Sequence, residues 1–161
     1  MSADYLRLVP NKPNFVPDKA AQTKAVGALQ SLLPAGSDCE ARDHGHVVFI
    51  DQGENLETVI CPVCSQRLRL YDDPSASTNL GWWYDTMDRI DDEKAENIVT
   101  KMPCCGRSAP LTSLQFDWPA AFARFELSIL DPGIGENLSR NELAQFEKML
   151  GCELIQVRAH Y

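Results

Sequence analysis

Apolar and polar residues alternate over Tyr5-Leu6-Arg7-Leu8-Val9, the two-residue period of a half-buried strand, and the proline- and asparagine-rich stretch from Pro10 to Pro17 prevents its continuation. From Asp18 to Leu33 the period lengthens: Ala21, Ala25, Val26, Leu29, Leu32 and Leu33 recur at helical spacing, and Pro34-Ala35-Gly36 ends the run. The segment from His46 to Asp51 contains the continuous apolar run Val47-Val48-Phe49-Ile50, which predicts a buried strand. The chain therefore opens as β-α-β.

The far end repeats this order. Phe125, Leu127 and Ile129 occupy every second position of a strand that breaks at Asp131-Pro132-Gly133. A helix follows, marked by a capping box of Ser139 and Glu142, a hydrophobic staple of Leu138 and Leu143, and Gly151 after its last turn. Leu143, Phe146, Met149 and Leu150 supply its apolar face, and the segment from Cys152 to His160 is a closing strand. Two β-α-β halves, residues 1–52 and 120–161, predict an α+β fold of the ferredoxin-like, split β-α-β kind in one compact domain. Between them lies an insertion, residues 53–119, with its own helix from Gly81 to Ile90 and a surface loop over Asp72–Thr78.

Chemistry concentrates in this insertion. Cys61-Pro62-Val63-Cys64 is preceded by Val59 and Ile60 and followed by Leu68, Leu70 and Tyr71 in alternation, a pattern of strand, knuckle and strand. Met102-Pro103-Cys104-Cys105-Gly106 supplies a second turn. Four thiolates from two turns suit a tetrahedral Zn²⁺ site, so Cys61, Cys64, Cys104 and Cys105 are the expected ligands of a structural zinc ribbon. Adjacent cysteines point apart, so a distorted second turn is expected if both ligate, and a three-cysteine site completed by His44, His46 or an acid stays open. A redox role requires CPVC to open a helix. The strand-like residues after Cys64 disfavour it.

Composition narrows the class. Hydrophobic residues at 44% and charged residues at 24% describe a globular chain. No apolar run approaches a membrane span, and Met1–Arg7 lacks the features of a signal peptide, so the expected compartment is the cytoplasm, where six cysteines suit metal binding better than disulfides. A net charge of -8 disfavours nucleic acid, which requires clustered Lys and Arg, and suits a basic protein partner.

Catalytic signatures are sparse. The chain has no Gly-x-x-x-x-Gly-Lys-Ser/Thr, no Gly-x-Gly-x-x-Gly after a strand and no Gly-x-Ser-x-Gly. Asp43-His44-Gly45-His46 is the one polar cluster able to hold a metal or serve a nucleophile such as Cys39, against the plainer reading of a solvated turn entering the strand at Val47. Cys39 and Cys152 read as small buried hydrophobes, and Asp72-Asp73 and Asp91-Asp92-Glu93 as solvated faces. In the insertion helix Trp83, Met87 and Ile90 share one side, and Trp82, Asp85, Asp88 and Asp92 another. Adjacent aromatics about 100° apart cannot all enter one core, so this second side is the expected partner surface.

Tyr5-Leu6-Arg7-Leu8-Val9-Pro10, Phe15-Val16-Pro17, the CPVC turn, the Trp82-Trp83 helix, Pro103-Cys104-Cys105-Gly106 and Asp117-Trp118-Pro119 together resemble a group of small bacterial zinc-ribbon proteins. The resemblance spans most of the chain and implies little about activity. A sugar-transporter ATPase label carried by some of that group does not suit a chain without a phosphate-binding loop. In build, an acidic, small cytosolic chain also resembles immunity proteins of bacterial toxin systems, which neutralise a cognate toxin by occluding it. The expected function is accordingly a non-catalytic, zinc-containing binding protein, an immunity-type inhibitor of a basic toxin domain. A zinc-dependent enzyme with an open Cys/His site and a zinc-stabilised regulatory domain for a small ligand are the alternatives.

Overall fold

A computed structural model describes residues 1–161. Strands β1 (Asp4–Pro10), β2 (Asp38–Ile50), β8 (Ala121–Leu130) and β9 (Leu154–His160) form one antiparallel sheet in the order β2-β8-β1-β9. Helices α1 (Lys19–Leu32) and α3 (Arg140–Leu150) connect β1 to β2 and β8 to β9. This is a split β-α-β arrangement, the α+β class expected from the sequence. Leu6 and Leu8 of β1 and Phe125, Leu127 and Ile129 of β8 meet Ala25, Leu29, Leu143, Phe146 and Leu150 of the helices in one buried cluster.

Both helices begin where side chains satisfy their free N–H groups. Asp18 accepts from Ala21 N at 2.8 Å. Ser139 and Glu142 form the reciprocal capping box, and Gly151 ends α3 in the left-handed conformation.

Strand β2 is longer than the apolar run suggested, starting at Asp38. It is an edge strand that pairs only with β8, so its outward positions Glu40 and Arg42 remain polar and conceal the strand pattern. Its register shifts between Asp43 and Val48, around Gly45 in a left-handed conformation. Beyond the shift, β2 and β8 form an arm buried on both faces. Val48, Ile50, Ala121 and Ala123 pack with Val9 and Val157, whereas Val47, Phe49 and Phe122 join the core of the insertion. Double burial is why Val47-Val48-Phe49-Ile50 is apolar throughout.

The chain then passes to the opposite edge of the sheet. Gly53 bridges His160 of β9, and Glu54 N donates to His160 O at 2.9 Å. Between β2 and β8 follow β3 (Thr58–Ile60), β4 (Arg67–Arg69), α2 (Ala76–Asp88), β5 (Val99–Lys101), β6 (Ser108–Pro110) and β7 (Gln115–Phe116), with single 3-10 turns at Arg89–Asp91, Ala95–Asn97 and Leu111–Ser113. Helix α2 starts earlier than expected because Asp73 turns the chain, its Oδ1 accepting from Ser75 N at 2.9 Å.

Gly53 has a φ of +59°, and a Cβ there would lie 2.1 Å from the His160 carbonyl oxygen. Gly53→Ala therefore combines left-handed strain with a backbone clash, and it should lower stability by about 2 kcal/mol or more in urea unfolding. A change below about 0.5 kcal/mol would show that the bridge between the two edges is dispensable.

Candidate metal centre

Two three-residue hairpins, β3-β4 and β5-β6, each end in a tight turn. In the first, Cys61 N donates to Gln66 O and Ser65 N to Cys61 O, both at 2.9 Å; in the second, Met102 N donates to Arg107 O and Gly106 N to Met102 O, again at 2.9 Å. Each turn needs one left-handed residue, Ser65 at φ 64° and Gly106 at φ 69°. The turns superpose in pattern at a constant sequence offset: Cys61 matches Met102, Pro62 matches Pro103, Cys64 matches Cys105 and Ser65 matches Gly106.

The second turn is thus an ordinary knuckle, and the distortion expected of adjacent cysteines is absent. Its first position holds Met102, fully buried in the insertion core, and its second thiol has moved to the third position, where the first turn carries Val63. The shared x-Pro-x-Cys string carries this signal in the sequence, but two CC-centred cysteines draw the eye away from Met102.

The four sulfurs lie within 4.8 Å of one another. Cys61 Sγ is 4.0 Å from Cys105 Sγ, and Cys64 Sγ is 3.5 Å from Cys104 Sγ. Sulfurs about 2.3 Å from a common centre at tetrahedral corners would stand about 3.8 Å apart, so this quartet has the dimensions of a four-sulfur metal site. The donors are thiols only. Soft sulfur ligands select zinc or another thiophilic ion over magnesium or calcium.

The electrostatics point the same way. Burial pushes the Cys61 thiol up, but the N–H groups of Cys64 and Val63, 3.5 Å and 3.4 Å from its sulfur, outweigh this and hold it at about 7. Cys104 is pushed up to about 12 by burial and by the thiols of Cys64 and Cys61 around it. Cys105 is lowered chiefly by the Arg107 N–H. Negative charge on one sulfur thus holds a proton on its neighbour, a conflict that a central dication removes.

Other candidates lie apart from the sulfurs. His44 Nε2 faces the buried Glu126 carboxylate at 3.7 Å on the main sheet, beside Arg7 and Arg42, while His46 is exposed. Asp43 is taken by Arg124 in a bidentate pair at 2.8 and 2.9 Å, which lowers its pKa to about 2. Cys39 is buried among apolar side chains, and Cys152 packs at the edge of that core. In α2, Trp83 is buried; Trp82 is half-buried and its Nε1 donates to Thr100 Oγ1 at 2.9 Å. Asp85, Asp88 and Asp92 are exposed as expected, together with Asp91 and Tyr84, the latter 56% exposed. No helix is long and apolar enough to cross a membrane. No family model, curated protein or solved structure matches the chain.

Cobalt loading tests the ligand displacement. Cys104→Ala should lose the intense sulfur-to-metal absorption, and Met102→Cys/Cys104→Ala should regain it, because position 102 is the counterpart of Cys61. A double variant that binds no better than the single one would show that the knuckles are not interchangeable. Burial and the neighbouring thiols push Cys104 up to about 12, so a metal that used all four sulfurs would have to displace its proton at neutral pH. Proton release into weak buffer on zinc addition, and affinity that falls as pH drops, are expected; pH-independent binding would contradict thiolate ligation.

Proposed function

We propose that the four cysteines hold one structural Zn²⁺ and that the protein is a non-catalytic, cytoplasmic binding module, an immunity-type inhibitor that occludes a basic toxin domain. The all-sulfur quartet is the observation that carries the first half of this reading. Four protein ligands complete a tetrahedron and leave no position for water or substrate, and His44 and His46 are not among the clustered donors. A metal so enclosed stabilises the insertion rather than activating a reactant.

The exposed face of α2 supports the second half. Tyr84, Asp85, Asp88, Asp91 and Asp92 are exposed on one short stretch, and the nearby Arg89 is occupied by Glu93 at 3.1 Å, so it leaves these aspartates unneutralised. Unpaired acids around an exposed aromatic ring suit a basic surface, steering encounter by charge and anchoring it by ring burial. Trp82, tied to Thr100, is the support beneath this face, and Tyr84 is its projecting anchor. The scaffold is firm: Trp83 packs on Phe49 with ring centroids 5.3 Å apart, so the arm of the main sheet fixes the helix.

The test is binding to the basic product of an adjacent toxin gene, read by native mass spectrometry for metal content and complex mass together. A one-to-one complex with one zinc is expected, with association slowed about tenfold by the triple change Asp85→Asn/Asp88→Asn/Asp92→Asn at low salt, the difference shrinking as salt rises. A complex indifferent to both salt and the triple change would place the interface elsewhere. The absence of any complex would end the inhibitor reading while leaving the metal site standing.

A further inference from the structure

Where the insertion meets the sandwich, Trp118 and Pro119 face the loop between β8 and α3 across a cavity of about 330 Å³. This is within the range of small-molecule sites. Its remaining lining is Gly135, Glu136 and Asn137 of the loop and Gln156 and Arg158 of β9.

The walls are held in place by hydrogen bonds rather than by chance packing. Gln156 clamps Leu138 twice, accepting from its N–H at 2.8 Å and donating to its carbonyl at 3.1 Å. Arg158 Nη2 donates to Ile134 O at 3.0 Å. Two side chains spaced to share one face of β9 thus fasten the two ends of the loop, and Gly135, Glu136 and Asn137 span the gap between. On the other side, Trp118 donates its Nε1 to Arg158 O at 3.2 Å and accepts from Gln52 Nε2 through its carbonyl at 2.8 Å. The residue is left 48% exposed.

The charges of this cavity are unmatched. The Arg158 guanidinium spends one hydrogen bond on the loop, from Nη2, and forms no ion pair in a chain whose net charge is -8; its Nη1 is enclosed by the protein, so a ligand in the cavity would meet its other donors. An arginine carries five donors, and Arg158 commits one of them to the loop. Glu136, the acid of the lining, is likewise unpaired. A simple anion would meet repulsion from Glu136, and a simple cation would leave Arg158 unmet. A molecule with a carboxylate and an ammonium a few bonds apart satisfies both.

We propose that this cavity binds a zwitterion of amino-acid size, its carboxylate on Arg158, its ammonium toward Glu136 and its apolar side chain on the Trp118 ring. The site depends on neither the metal nor a protein partner. Its position is consequential, because Trp118 follows β7, which pairs with β3, the strand that enters the Cys61 knuckle. A ligand held there would brace the insertion against the sandwich.

L-Phenylalanine is the probe, followed through the Trp118 indole N–H resonance in the full-length protein, with Trp118→Phe used for assignment. A saturable shift is expected. Arg158→Gln and Glu136→Gln should each weaken binding about tenfold or more, as should replacing the probe by 3-phenylpropionate or phenethylamine, which lack the ammonium and the carboxylate respectively. Glu136 is exposed and makes no structural hydrogen bond, so its variant stays informative even if Arg158→Gln disturbs the loop. No shift up to the solubility limit, unaltered affinity in the Glu136→Gln variant, or 3-phenylpropionate binding as tightly as phenylalanine would overturn the assignment.

Discussion

Four thiols within 4.8 Å of one another cannot all ionise unless a cation sits among them. Both knuckle turns of the insertion converge on this cluster. Its sheets are too small to stand alone, with three-residue strands in each knuckle hairpin and two residues in β7. Coordination would join turns 40 residues apart in the chain, from Cys64 to Cys104, and a cross-link over such a span restricts the unfolded chain more than a local one does. Val59, Ile98, Met102 and Leu111 pack without exposure in the cluster that also contains Cys61, so the four sulfurs border the apolar core of the insertion.

The shifted thiol of the second knuckle follows from how its first position packs. Met102 is fully buried in the same cluster as its counterpart Cys61, where its longer side chain fills space that a cysteine would leave open. The thiol is recovered one residue before Cys105, at the outer position. The quartet thereby becomes asymmetric: Cys61 is buried and receives two N–H hydrogen bonds, whereas Cys64 lies at the surface. A metal taken up by the four sulfurs would lie between a protected side and an open one.

The arm of β2 and β8 carries the mechanical connection. Alternate residues of Val47-Val48-Phe49-Ile50 belong to two cores, so the insertion and the sandwich share side chains rather than merely touching. The arm also conducts the chain to Gly53, whose bridge to His160 ties one sheet edge to the other. The acidic face of α2 and the Trp118 cavity both rest on this junction. A surface meant for a partner, or a cavity meant for a ligand, gains from being supported by rigid elements on both sides.

Much of the fold is legible in the chain because its signals are local. The period of α1, the Ser139-Glu142 capping box, Gly151 and the alternation of Phe125, Leu127 and Ile129 each depend on neighbours within a few residues, where backbone and side-chain preferences act directly. The cysteine quartet is legible for a related reason, since metal ligation demands a rare residue in close pairs. The polar half of β2 is not legible, because an edge strand partly open to solvent has no apolar face to display on its outer side. Nor do the curl of the arm, the Gly53–His160 bridge, the match of Met102 to Cys61 or the meeting of Trp118 with Arg158 show in the pattern. Short-range sterics and donor chemistry encode the helices, the central strands and the set of cysteines that cluster. Tertiary structure alone decided which edges meet, which cysteine is displaced and where unmatched charges face a cavity, because those outcomes depend on packing between residues far apart in the chain.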